Sequence, residues 1–289
     1  MSTDIAGNDH RALEADRDEV ARLRSRYIDL IERALTHMLY RPFDIRWEEN
    51  PEPDDESGSD ELRAAAAKEL ASEDFDWANV RADGRDWPFF AQTMVGVKRL
   101  ANVRYCVERV IAEGVPGDLI ETGVWRGGVV ILMRAILDAY DDHGRTVFAA
   151  DSFQGVPPPN EDAYPADAGS RLHMAKALTI TRKDVEANFD LYGLLDERVQ
   201  FLEGWFKDSL PAVKDRTWSV VRLDGDLYES TMDALTNLYP GLSVGGFLIV
   251  DDYGHDPCRQ AVEDFRAAHG VDEPVEAIDW LGAFWRRAH

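Results

Sequence analysis

Leu119-Ile-Glu-Thr-Gly-Val-Trp-Arg-Gly-Gly is the stretch on which the reading of the fold turns. A short apolar run reaches a glycine turn and a helical pattern follows, so backbone can approach a ligand at the carboxyl end of a strand. The glycines fall at 123, 127 and 128. That spacing is not the GxGxxG in which amides at a helix N-terminus hold a pyrophosphate. An acid inside the strand, Glu121, and a more open loop beginning at Gly123 suit a ligand with an amino-acid end and a ribose better. A purely structural glycine turn is the competing reading.

Outward from this turn, short apolar runs alternate with helical patterns, the pattern of a parallel sheet with crossover helices. Strands are expected at Leu119 to Thr122, Thr146 to Ala150, Val199 to Leu202, Ser219 to Leu223 and Phe247 to Val250. Helices are expected at Ser230 to Leu238, closed by Pro240 and Gly241, and at Cys258 to Ala268. The last part of the chain differs: Pro274 to Ile278 and Ala283 to Arg286 are strand-like runs around a turn containing Gly282, which predicts a closing hairpin. A seven-stranded, mostly parallel α/β sheet that ends in an antiparallel hairpin is the class I methyltransferase (Rossmann-like) architecture, whose cofactor is S-adenosylmethionine.

The second strand ends at Asp151, followed by Ser152, and an acid at that place can accept ribose hydroxyls. Phe201-Leu-Glu-Gly-Trp-Phe-Lys-Asp ends the third strand with Gly204 and Trp205, a small residue and an aromatic plate for an adenine pocket; a core aromatic is the alternative for Trp205. The fourth strand runs into Arg222-Leu-Asp-Gly-Asp-Leu-Tyr-Glu and the fifth into Leu248-Ile-Val-Asp-Asp-Tyr. Neighbouring strands thus deliver two aspartates each to one edge, where repulsion calls for a cation, and hard oxygen donors select Mg²⁺ or a similar ion. We assign Asp224, Asp251 and Asp252 as metal ligands and Asp226 as the catalytic base; an exchange of roles between Asp224 and Asp226 stays open. A divalent ion would lower the pKa of a substrate hydroxyl and orient it, and a free carboxylate would take the proton.

Before the sheet, Met1 to Arg22 reads as a flexible or loosely helical arm, and Tyr27, Ile28, Ile31, Leu35, Met38 and Leu39 recur at helical spacing. Glu48 to Asp60 is an acidic, Pro/Ser/Gly-rich loop, followed by a helical ELRAAAAKELA segment. The expected division is a flexible arm over 1–22, an N-terminal helical region over 23–115 with the acidic loop at 48–60, and the cofactor-binding core over 116–289.

The 289 residues are 45% hydrophobic and 30% charged, with a formal net charge of -23. No apolar stretch reaches the roughly 18 to 20 residues of a membrane span, and the polar start has no export signal, so a cytoplasmic enzyme without a membrane partner is expected. The acidic balance repels phosphate backbones and predicts no nucleic-acid partner. Two cysteines, Cys106 and Cys258, read as reduced thiols.

At these residues the chain closely resembles the macrocin O-methyltransferase family, metal-dependent enzymes that methylate sugar hydroxyls on macrolide and aminocoumarin antibiotics. The resemblance runs from the helix at Tyr27 to Phe284-Trp285-Arg286-Arg287, through Gln92-Thr-Met-Val-Gly-Val-Lys-Arg-Leu, the Glu121 turn, Ala150-Asp-Ser-Phe-Gln-Gly, Gly204-Trp-Phe-Lys-Asp, Leu223-Asp-Gly-Asp-Leu-Tyr-Glu-Ser-Thr and Val250-Asp-Asp-Tyr. It implies adenosylmethionine binding by Thr93, Met94, Glu121, Gly123, Asp151, Ser152 and the Gly204-Trp205 loop, Mg²⁺ at the three aspartates, and a deoxysugar hydroxyl of a glycosylated small molecule as acceptor. It also implies that the N-terminal helix and the loop Pro157 to Met174 cover the acceptor; His173 within that loop reads as a surface group. An N-terminal helical extension of this kind points to a homo-oligomer, dimeric or higher. Against this stand a phenol or catechol O-methyltransferase, which the metal cluster permits, and a dinucleotide-dependent oxidoreductase, which needs a tighter glycine turn. A non-catalytic scaffold would not need the intact aspartate pairs.

Overall fold

A computed structural model describes residues 5–39, 77–85, 88 and 90–289 of the chain. The expected acidic loop at 48–60 and the helical segment after it lie outside the described residues. The elements in order are α1 (Ile5–Leu35), α2 (Trp77–Asp83), α3 (Val97–Ala112), β1 (Asp118–Thr122), α4 (Gly128–Ala139), β2 (Val147–Asp151), α5 (Arg182–Leu191), β3 (Val199–Glu203), the short α6 (Phe206–Ser209), β4 (Trp218–Leu223), α7 (Tyr228–Leu238), β5 (Leu242–Val250), α8 (Asp256–His269), β6 (Glu276–Ala277) and β7 (Ala283–Arg286).

The seven strands form one sheet in the order β3-β2-β1-β4-β5-β7-β6. β1 to β5 pair in parallel, while β7 runs antiparallel to β5 and β6 to β7. The order reverses between β1 and β4, and ligands of open α/β sheets bind at such a switch point. The strands are apolar on both sides because both faces are covered. Leu119, Val147 and Val220 point into a core shared with α1, α3 and α4. Their neighbours Ile120, Phe148 and Val221 point into the opposite core, shared with α7 and α8. One-residue alternation along each strand therefore feeds two cores.

Two differences from the sequence reading have clear causes. β5 begins at Leu242, five residues earlier than expected, because Leu242 pairs with Trp218 and a register shift then admits Gly245 and Gly246 before the apolar run. The arm expected over 1–22 is, from Ile5 onward, part of α1. No glycine or proline interrupts the chain from Asn8 to Leu35, and the helix-forming Ala, Leu, Glu and Arg residues there extend a helix whose C-terminal half is anchored by Ile28, Ile31 and Leu35. Among the described residues no helix is long and apolar enough to cross a membrane. Cys106 and Cys258 are free and buried.

Candidate active site

The carboxyl ends of β1, β2, β3 and β4 open into a cavity of about 310 Å³, within the range of small-molecule sites. One wall is formed by Met94, Gly123, Asp151, Ser152 and Trp205, the other by Asp224, Gly225 and Asp226 with Glu229, Ser230 and Asp233 of α7. Val156, Pro157, Pro158 and Asn160, from the loop after β2, close a third side.

The turns around this cavity are built under constraint. Gly123 has φ +81, and a Cβ there would lie 1.7 Å from the Asp224 carbonyl oxygen, so the turn after β1 can meet the turn after β4 only without a side chain. Trp125, Phe153 and Asp226 adopt positive φ values of 46, 55 and 60, each at the carboxyl end of a strand. Such backbone is uncommon for bulky side chains and is held by the surrounding packing.

The carboxylate cluster is more connected than its sequence suggests. Asp224, Asp251 and Asp252 each offer an oxygen within 4.8 Å of the others. Arg222, the fully buried residue two before Asp224, donates to Glu121, to Asp251 and, at 2.9 Å, to Asp224. Arg99 of α3 donates to the other oxygen of Asp251 and, at 3.1 Å, to Asp279 in the turn before β7. Asp252 accepts the backbone amide of Asp226 at 3.1 Å through Oδ2.

These contacts sort the acids by charge. Burial alone would raise Asp251, but Arg222 and Arg99 hold it below the usual carboxylate range. Burial and then the neighbouring Asp251 push Asp224 well above it. Asp252 is raised to about 8 by burial and by Asp226, and Asp226 to about 7 by burial and by Asp224. Glu121 rises to about 8 through burial, against the pull of Arg222.

Five carboxylates (Glu121, Asp224, Asp226, Asp251, Asp252) thus face two guanidiniums, one of them shared with Asp279, and the four other than Asp251 are pushed towards their protonated forms, protons that a cation would displace. All the available donors are hard oxygens. The residues therefore fit a divalent cation of the Mg²⁺ class. Of the three assigned ligands, Asp251 has both oxygens engaged by arginines and would ligate through a second lone pair. Asp224 and Asp252 are held by one oxygen each.

The residues assigned to the cofactor separate into two groups. Met94, Gly123, Asp151, Ser152 and Trp205 line the cavity. Glu121 does not: it is 1% exposed and lies beneath the floor against Arg222. Thr93 is buried as well, its Oγ1 accepting the Val95 amide at 2.9 Å. Packed where a Cβ on Gly128 would strike it, Thr93 supports the turn after β1 rather than lining the cavity. Gly204, at φ 139, shapes the approach to Trp205. Asp151 accepts the amides of Val124 at 2.8 Å, Trp125 at 3.3 Å and Phe153 at 2.8 Å. Its carboxylate thus ties the turns after β1 and β2 together, and a ribose would have to share oxygens already in use. His173 is exposed and lies away from the cavity lining. Sequence reasoning missed Arg99 and Arg222, although an arginine between apolar residues of a buried strand, as in Val220-Val-Arg-Leu, is itself the mark of an internal counterion.

Residues 24–287 match the protein family described as Macrocin-O-methyltransferase (TylF). The chain is 49% identical over 265 residues to the 8-demethyl-8-(2,3-dimethoxy-alpha-L-rhamnosyl)-tetracenomycin-C 4'-O-methyltransferase of Streptomyces olivaceus, covering 91% of this chain and 93% of that protein. It is 55% identical over 210 residues to the demethyldecarbamoylnovobiocin O-methyltransferase of Streptomyces niveus, covering 72% and 80%. Among solved structures, that of the O-methyltransferase NovP superposes with a TM-score of 0.78 at 46% identity, covering 92% of this chain and 100% of that one.

Proposed function

The chain belongs to the macrocin O-methyltransferase family, and on that footing we propose that it transfers the methyl group of S-adenosylmethionine to a deoxysugar hydroxyl of a glycosylated natural product, in the tailoring of an antibiotic. The observation that carries this reading is that one cavity is lined by two chemically different sets of residues. On one side stand the turns of β1 and β2 with Met94 and Trp205, on the other the carboxylates after β4.

The protein's part in the reaction is placement and proton transfer. Met94, Gly123, Ser152 and Trp205 would hold the cofactor, which when bound supplies the methyl group. Asp226, lining the cavity and raised to about 7, would accept the hydroxyl proton as the oxygen attacks the methyl carbon and the carbon–sulfur bond breaks, leaving adenosylhomocysteine. Asp224, Asp251 and Asp252 would hold Mg²⁺, which when bound supplies an electrophile that acidifies and orients the acceptor hydroxyl. Arg222 and Arg99 keep Asp251 ionised and fixed for that purpose.

The acceptor in this reading is a neutral glycoside. Purified protein with adenosylmethionine, Mg²⁺ and a panel of glycosylated macrolide, aminocoumarin and aromatic polyketide intermediates is expected to add one methyl mass to the sugar. Methylation of simple catechols with no turnover on any glycoside would overturn the sugar assignment. Self-association through α1 belongs to the same reading: Val20, Leu23 and Leu30 lie 53% exposed along a helix whose Ile28 and Leu35 are buried in its own core. Light scattering is expected to give a dimer or larger, and a Leu23→Glu, Leu30→Glu variant a smaller species.

A further inference from the structure

The loop between β2 and α5, which walls one side of the cavity, is pinned to both of the turns it faces. Asp167, 1% exposed, ends a short turn spanning Pro165–Asp167. Its Oδ1 accepts the amide of Tyr228 at 2.6 Å and its Oδ2 the amide of Glu229 at 3.1 Å. These are the first two residues of α7, whose own N-cap residue, Leu227, provides no side-chain bond. The helix that follows Asp224-Gly225-Asp226 is therefore capped by a carboxylate some sixty positions upstream in the chain, where two orphan amides and the positive end of the helix dipole both favour an anion. The rings of Tyr164 and Tyr228, with centroids 5.9 Å apart, extend the same contact. Further along the loop, Trp125 of the turn after β1 donates from Nε1 to the Ala177 carbonyl at 2.8 Å.

From this arrangement we infer that Asp167 is a positioning residue for the acceptor. By capping α7 it fixes two things at once: the loop whose Val156, Pro157, Pro158 and Asn160 line the cavity, and the backbone turn that carries Asp224 and Asp226. A local Ser or Asp at position 227 would cap the helix equally well but would leave the loop untethered. The distant cap links the height of the loop over the cavity to the placement of the acids beneath it. Gly123, Ser152 and Trp205 follow β1, β2 and β3 and none of them bonds to Asp167, so loss of the cap displaces the loop and the acids further than the cofactor wall. The acceptor part of the inference rests on the methyltransfer reading above.

The test compares Asp167→Ala and Asp167→Asn with the wild type in three measurements. Hydrogen exchange read by mass spectrometry on the cofactor-free protein is expected to be at least tenfold faster at the start of α7 and over 157–178 in Asp167→Ala, with smaller gains in Asp167→Asn, which keeps one accepting oxygen. Calorimetry with adenosylhomocysteine is expected to give affinities within threefold of wild type. With an accepted glycoside, KM is expected to rise about tenfold in Asp167→Ala and less in Asp167→Asn, with a smaller change in kcat. Unchanged exchange in both variants overturns the inference, as does a loss of cofactor affinity as large as the rise in KM. Should Asp167→Ala fail to fold, Asp167→Asn decides alone, and wild-type exchange at Tyr228 and Glu229 in that variant counts against the inference. A wild-type protein inactive on every glycoside would reject the proposed acceptor while leaving the exchange result to stand or fall by itself.

Discussion

Arg222 is paired with Asp251 in the interior of the protein, and the same guanidinium also holds Glu121 and Asp224. A cation supplied by the fourth strand itself therefore carries part of the compensation that the aspartate pairs demand. Removing it while leaving three carboxylates buried is costly, since breaking a buried pair typically loses about 3–5 kcal/mol. Arg222→Met is expected to lower the unfolding free energy by about that amount in urea titrations. Arg222→Lys should lose less, having one point charge in place of a fork. A loss near zero for Arg222→Met would show that the acids beside it are protonated and need no counterion.

Asp226 combines exposure to the cavity with a left-handed backbone, which asparagine tolerates better than most residues. Asp226→Asn should therefore fold normally and bind adenosylhomocysteine as the wild type does. Its kcat is expected to fall by roughly 10²- to 10⁴-fold, the usual worth of a general base. If the variant instead loses Mg²⁺ binding, Asp226 is a ligand and Asp224 the base.

The excess of carboxylates over guanidiniums in the cluster makes metal binding measurable without turnover. Mg²⁺ is expected to raise the melting temperature of wild-type protein, corresponding to about 2.7 kcal/mol when the ion is at 100 times its Kd. Asp224→Asn and Asp252→Asn should abolish the shift. Chelation should remove activity and added Mg²⁺ restore it, and a wild-type protein whose melting point ignores Mg²⁺ would sink the metal assignment.

Glu32 of α1 offers a pH test far from the cavity. Burial raises its carboxyl from 4.5 to about 7, more than the nearby Arg104 can offset, because that guanidinium also serves Asp29 and Glu108. A raised folded-state pKa means that the proton stabilises the fold below 4.5 and that this contribution is lost as pH rises through 7. Glu32→Gln should thus gain stability relative to wild type as pH goes from about 5 to about 8. Parallel stability curves across that range would show that Arg104 keeps Glu32 ionised.

Much of the sheet was legible because buried parallel strands read as continuous apolar runs, and the aspartates at the ends of β4 and β5 were legible because they interrupt those runs at matching depth. What sequence spacing could not show was which acids face the cavity. Glu121 within β1 and Asp251 just after β5 are as suggestive as Gly123 and Asp224, yet their side chains turn towards Arg222 and Arg99. Asp167 was hidden for another reason: its partners are backbone amides of a distant helix, and amides leave no mark in a sequence. Of the two readings of the upstream part of α1, flexible or loosely helical, the helix is the one formed, because polarity alone does not stop a helix with no glycine or proline between Asn8 and Leu35.

Gly123 and the Asp224 carbonyl share a space that no side chain can enter. For anyone wishing to redirect this enzyme to another acceptor, that contact divides the molecule into parts that can and cannot be edited. The β1 and β4 turns behave as one interlocked piece, in which a change on the cofactor side displaces the acids. The loop from Val156 to Leu178, joined to that piece by a few bonds, is the exchangeable part, and libraries confined to it that keep Asp167 can vary the fit to an acceptor while the chemistry beneath stays in register.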